Sequence, residues 1–185
     1  RRLRTSLLER GRDLALLDLT ADLGVPVVAA VSRSVERRES DTWLGFGAHL
    51  DPQVAAERAL TVLCQFLPRR GDMERRLIEH AAGSLPWLEP STSAPPSSAS
   101  VAPDVDVTRE LLALVDRLGG SGLETFALDQ SRPDVPLAVV KVIVPGLRPW
   151  WARFAPGRLF TVPTALGWPD PVSDEAELNP IHLHL

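Results

Sequence analysis

The chain predicts a mixed α/β fold, and three observations carry that reading. Short runs rich in Val, Ala and Leu have strand length and are bounded by glycine, proline or charge. Longer stretches repeat apolar residues at helical spacing, one of them opened by Asp51 and Pro52. No internal repeat appears, which leaves strands joined by helices and hairpins.

Residues 1–10 read as the end of a helix stopped near Gly11. The first residue is not methionine, so the chain is expected to be a piece of a longer protein. Residues 14–20 are a short, largely apolar run suited to a buried strand, and 21–24 read as a turn. The β-branched stretch 25–31 makes a second strand, with Pro26 tolerated near its start. Polar residues 33–42 read as a loop. Residues 43–49 read as a strand relieved by Gly45 and Gly47, where the backbone must approach something closely.

Asp51 then supplies an N-cap and Pro52 the first helical position, giving a helix over Pro52–Phe66 that stops before Pro68. Val54, Ala55, Ala59, Val62, Leu63 and Phe66 fall on its apolar stripe, leaving Glu57, Arg58, Thr61 and Gln65 outside it. A second amphipathic helix is expected over 72–82, through Met73, Leu77 and Ile78. Residues 91–100 are Ser, Thr, Ala and Pro only, with nothing to anchor a core. A flexible Ser/Pro-rich insertion spanning 86–103, inside one domain, is the expectation. A helix over 105–118 follows, ended by Gly119 and Gly120, then an alternating strand over 123–129. The continuous apolar strand over 137–144 holds Lys141. From Pro145 onward the chain reads as irregular, with one short helix near 150–154.

Composition removes several function classes. The 185 residues suit one domain that buries about 70% of its unfolded surface. The apolar runs are short and interrupted, so no membrane span is expected, and no signal-peptide pattern opens the chain. One cysteine, Cys64, excludes an internal disulfide framework and fits a cytoplasmic location. The net charge of −4 opposes a phosphate-backbone surface, so nucleic acid is not an expected partner. Lys141 is the sole lysine among 20 basic residues and tyrosine is absent, which fits the amino-acid usage of a GC-rich bacterial genome.

Few motifs carry chemistry. Gly45-Phe46-Gly47 lacks the third glycine and the following helix of a dinucleotide fingerprint. Cys64 reads as a small core residue and His80 as a partner of a helix dipole. His182 and His184 share one side of an extended tail, two potential ligands without a third. Glu57, Thr61 and Gln65 step by four along one helix edge, with Arg58 beside them. Such an edge is ordinarily a solvated face. It also offers a carboxylate for Mg2+, a guanidinium for phosphate and an amide for a base or ribose.

A series of segments goes further. Residues 17–20, 22–27, 45–52 (Gly-Phe-Gly-Ala-His-Leu-Asp-Pro), 57–61 (Glu-Arg-Ala-Leu-Thr) and Gln65 resemble the YcaO-type cyclodehydratases. So do 128–134, 139–148 (Val-Val-Lys-Val-Ile-Val-Pro-Gly-Leu-Arg), 153–163 and 178–180, in the same order. The likeness covers nearly the whole chain apart from the Ser/Pro stretch. It implies an α+β architecture with a largely antiparallel sheet and packed helices, of which residues 1–185 would be the C-terminal portion. It also implies ATP and Mg2+ as cofactors and a ribosomally made precursor peptide as substrate. In that chemistry a Cys, Ser or Thr side chain closes onto a backbone carbonyl whose oxygen leaves as phosphate, giving an azoline. A separate or fused partner that recognises the precursor's leader is expected, and a homodimer is compatible. Related branches make thioamides or amidines by the same ATP step.

Carried over residue by residue, the resemblance implies nucleotide contacts for Arg58 and Gln65; Glu57 enters from the helix edge itself, as a nucleotide and metal contact that requires the helix to turn that edge to the pocket. It singles out no catalytic residue. Arg132, Arg158 and His49 are further candidates. Relatives carry a second glutamate after the Arg-Ala-x-Thr step, where this chain has Val62. They also end in alternating prolines, where this chain has His182 and His184. A degenerate, non-catalytic subunit that binds precursor peptide or partner protein is therefore the alternative. The family's remaining nucleotide and metal ligands are expected upstream of these residues.

Overall fold

The computed structural model describes residues 2–36, 42–67, 106–147 and 157–168. They fall into two compact units, one carrying the described residues up to 67 and the other those from 106 onward.

In the first unit, α1 (Arg2–Leu8) buries Leu7 and gives way to Gly11, which turns the chain at φ +71°. Three strands follow, β1 (Arg12–Asp18), β2 (Val27–Ser34) and β3 (Thr42–Ala48). They form one antiparallel sheet in the order β1-β2-β3, with Leu16 opposite Ala30 and Ala30 opposite Gly45. β1 starts two residues earlier than its apolar pattern because Arg12 is satisfied across the pair. Its Nε donates to Ser32 Oγ at 3.0 Å and its Nη2 to the Ser32 carbonyl at 3.1 Å. For the same reason β2 takes in Arg33 and Ser34, which the polarity of that stretch assigns to a loop. Gly24 closes the β1–β2 connection at φ +60°.

Helix α2 (Pro52–Phe66) lies against this sheet. Ala59 and Leu63 on the helix and Ala30 on β2 are fully buried, with Leu14, Val28 and Trp43 packed around them. Alternation along each strand puts these residues on one sheet face. The helix boundaries and the buried Ala55, Ala59 and Leu63 agree with the sequence pattern; Val54 and Val62 are half-buried flanks.

In the second unit, α3 (Val107–Gly120) is capped by Asp106, which accepts from the Thr108 backbone N–H at 2.9 Å. Gly119 and Gly120, expected from sequence to end it, do not. The helix continues through both, and the chain turns at Gly122, φ +74°, where the Leu123 N–H returns to the Leu118 carbonyl. Strands β4 (Phe126–Asp129) and β5 (Val140–Ile143) pair antiparallel, Phe126 opposite Ile143. Both are shorter than the apolar runs that encode them: β4 starts late because Leu123 closes the turn after α3, and β5 starts late because residues 130–139 form a side-chain-bonded loop. A last helix, α4 (Arg158–Ala165), lies in a stretch expected to be irregular. Pro163 near its end removes one helical hydrogen bond, a small loss so close to the terminus.

The architecture is thus mixed α/β with antiparallel sheets, as the sequence predicts. The helices expected at 72–82 and near 150–154, the 86–103 insertion, and His80, His182 and His184 lie outside the described residues. No helix among the described residues is long and apolar enough to cross a membrane.

Candidate functional site

The site is built where β3 meets α2. Gly45 and Gly47 allow the helix to sit directly on the strand. A Cβ at Gly45 would strike the Ala59 carbonyl oxygen and lie 2.9 Å from Leu63 Cα. One at Gly47 would strike the Ala55 carbonyl oxygen and lie 2.9 Å from Arg58 Cβ. These two glycines are required by close approach and not by backbone dihedral.

The helix start is pinned by its own side chains. Asp51 caps α2 by accepting from the Gln53 N–H at 2.8 Å. The Asp51 N–H in turn donates to His49 Nδ1 at 2.9 Å, and the His49 N–H donates to the Pro26 carbonyl at 3.1 Å. The corner between strand and helix is therefore tied as well to Pro26, the residue before β2.

Along α2 the expected polar edge is present. Glu57, Arg58, Thr61 and Gln65 are all exposed, with Glu57 and Thr61 opposite the buried Ala55, Ala59 and Leu63 and Arg58 on the flank nearest β3. They are not equally available. Glu57 Oε1 accepts from Gln53 Nε2 at 3.0 Å, and the Thr61 hydroxyl donates to the Glu57 carbonyl at 2.8 Å. Arg58 Nη1 donates to the Ala48 carbonyl at 3.0 Å, which draws its guanidinium toward the end of β3. Gln65 stands two turns further along, close to neither of these contacts in sequence. Gln53, which orients Glu57, was not singled out from sequence, although its spacing of four from Glu57 is legible there.

The other candidates separate from this edge. Arg132 binds Asp134 through two bonds, Nε to Oδ1 at 2.9 Å and Nη2 to Oδ2 at 2.6 Å, which accounts for it as an exposed structural pair. That guanidinium holds the Asp134 carboxyl below its ordinary value, and the Ser131 hydroxyl and backbone N–H do the same for Asp129. Arg158 opens α4, and Cys64 is half-buried on α2. Among the described residues, no three His, Cys, Asp or Glu side chains gather as a metal site.

Comparison with known proteins gives this corner its context. Residues 1–148 match the family model described as YcaO cyclodehydratase, ATP- and Mg2+-binding. The chain belongs to the YcaO cyclodehydratase family. Among YcaO-like folds of known structure, a heterocyclase in complex with substrate and cofactor is 39% identical, with a TM-score of 0.81 over 98% of this chain and 26% of its own. The heterocyclase TruD is 38% identical, with a TM-score of 0.84 over 100% of this chain and 27% of its own. An uncharacterized protein of Methanothermobacter thermautotrophicus is 35% identical over 164 residues, covering 74% of this chain and 39% of its own. A second, in the tfuA 3′ region of Rhizobium leguminosarum bv. trifolii, is 30% identical over 155 residues, covering 74% and 37%. The chain therefore spans under two fifths of those relatives and about a quarter of the heterocyclases.

Proposed function

We propose that this chain is the C-terminal portion of an ATP-dependent peptide cyclodehydratase. In this reading the complete domain closes a Cys, Ser or Thr side chain of a ribosomal precursor peptide onto the neighbouring backbone carbonyl, giving an azoline. The observation that carries it is the family match combined with two heterocyclase folds near 40% identity over essentially the whole chain. Bound Mg-ATP would supply the phosphoryl group that turns the amide oxygen into a leaving group.

The residues of α2 fit part of that requirement. Mg2+ in nucleotide sites is commonly held by one or two carboxylates together with phosphates and water. Glu57 offers one carboxylate, with Oε2 left over after the Gln53 bond. Arg58 spends one of its five N–H groups on the Ala48 carbonyl, which leaves a tethered cation for phosphate. Gln65 offers an amide for the base or ribose. Orientation and charge are what such a surface contributes to phosphoryl transfer. The leader-recognition partner and a cytoplasmic setting belong to the same reading.

The test is phosphate release by the protein, with the complete domain present, in the presence and absence of precursor peptide. Peptide-dependent release supports the reading, and release indifferent to peptide removes the peptide-modifying step. A second reading, a non-catalytic subunit that binds precursor or partner, is favoured by Val62, which offers no ligand where relatives carry a carboxylate. Val62 is half-buried on α2, one turn from Arg58. Val62→Glu discriminates between the two: strengthened Mg-ATP binding shows a nucleotide pocket lacking one ligand, and unchanged absence of binding supports the subunit.

A further inference from the structure

We propose that His49 is a further nucleotide-binding residue, its Nε2–H donating to a phosphoryl oxygen beside the Arg58 guanidinium. This rests on the reading of α2 as the nucleotide edge and adds to it a residue on β3's outgoing end. Nδ1 accepts the Asp51 backbone N–H at 2.9 Å, so in the neutral ring the proton sits on Nε2. Nε2 has no partner among the described residues. The backbone that carries the ring is anchored as well, the His49 N–H donating to the Pro26 carbonyl at 3.1 Å.

Location supplies the second half of the argument. Arg58 reaches back to the carbonyl of Ala48, the residue immediately before His49, at 3.0 Å. The β3–α2 corner thus carries a cation tethered to the residue before His49 and, on His49 itself, a ring oriented by the Asp51 N–H. The α2 N-terminus adds its positive end there. The Asp51 carboxylate is the opposing charge, and it is engaged by the Gln53 N–H at 2.8 Å. If His49 served only to accept the Asp51 N–H, an Asn at this position would do so equally, since a short amide oxygen is the usual acceptor at such turns.

That equivalence defines the experiment. Mg-ATP binding is measured by calorimetry, alongside thermal unfolding, for the protein with its complete domain, unaltered and as His49→Asn, His49→Gln and Arg58→Gln. His49→Asn keeps an acceptor for the Asp51 N–H and removes the outer donor. The expected result is an unchanged unfolding midpoint with affinity weakened about 10- to 100-fold, the scale of one hydrogen bond to a charged group. His49→Gln restores a donor near the position of Nε2 and is expected to recover part of that affinity at lower stability. His49→Asn binding Mg-ATP as tightly as the unaltered protein would overturn the proposal while leaving the α2 reading intact. Loss of affinity that merely follows a lowered midpoint would also overturn it. Absence of binding by the complete domain both unaltered and as Val62→Glu, or undiminished binding by Arg58→Gln, would remove the α2 reading and this proposal with it.

Discussion

Arg58 is the residue on which the proposed site turns, because its side chain couples the helix edge to the strand end. A guanidinium tethered to the Ala48 carbonyl loses less freedom on meeting phosphate than a free one would. Arg58→Gln is expected to weaken Mg-ATP binding about 10- to 100-fold while changing stability by less than about 1 kcal/mol, since the side chain is exposed. Calorimetry and urea unfolding on the same samples check both halves. Asp51 is expected to behave oppositely. Asp51→Ala should cost about 1 kcal/mol of stability through the lost cap, read as a lowered urea midpoint with an unchanged slope. In the second unit, Asp134 is held down by Arg132 and Asp129 by Ser131. A depressed folded-state value means that the contribution is present above the unfolded value of about 3.9 and is lost as pH falls through the folded one. The Ser131 amide resonance is therefore expected to titrate with a midpoint below about 3.9, and a midpoint at or above it contradicts these bonds.

At the scale of elements, what was legible in the sequence is what depends on local chemistry. Asp51-Pro52 places the start of α2, and Ala55, Ala59 and Leu63 give its buried stripe. The Gly45/Gly47 spacing announces a close backbone approach, and α2 is what approaches. Gly47→Ala is accordingly expected to destabilise the first unit by about 2 kcal/mol or more, because the helix backbone must shift to admit the methyl group. Thermal unfolding checks this, with Gly119→Ala as control: nothing stands near a Cβ there, and Ala favours a helix interior. The misreadings have two causes, strand pairing invisible to a local window and termination signals placed a few residues from where a local reading puts them. Arg12 and Arg33 enter strands because their partner strands accept them. Gly119 and Gly120 stay helical because the termination signal is carried by Gly122 and the Leu123–Leu118 bond. Pro163 suggests irregular chain but falls where a short helix is ending in any case.

At the scale of the molecule, the polar edge was visible as spacing, yet its function was not. Glu57, Thr61 and Gln65 at intervals of four describe a solvated face as well as a ligand edge, and their exposure agrees with both. The family match and the heterocyclase folds give the family of a chain that spans only part of each relative, and the ligand edge is what we propose on that basis. How completely the edge is equipped depends on Val62, a position that adds packing area where a carboxylate would add charge. The most direct test is a structure of the protein, with its complete domain, bound to Mg2+ and a non-hydrolysable ATP analogue. The account predicts that Arg58 and Gln65 lie within hydrogen-bonding distance of the nucleotide and that Glu57 faces the metal. A nucleotide bound elsewhere, with all three side chains still in water, would contradict it.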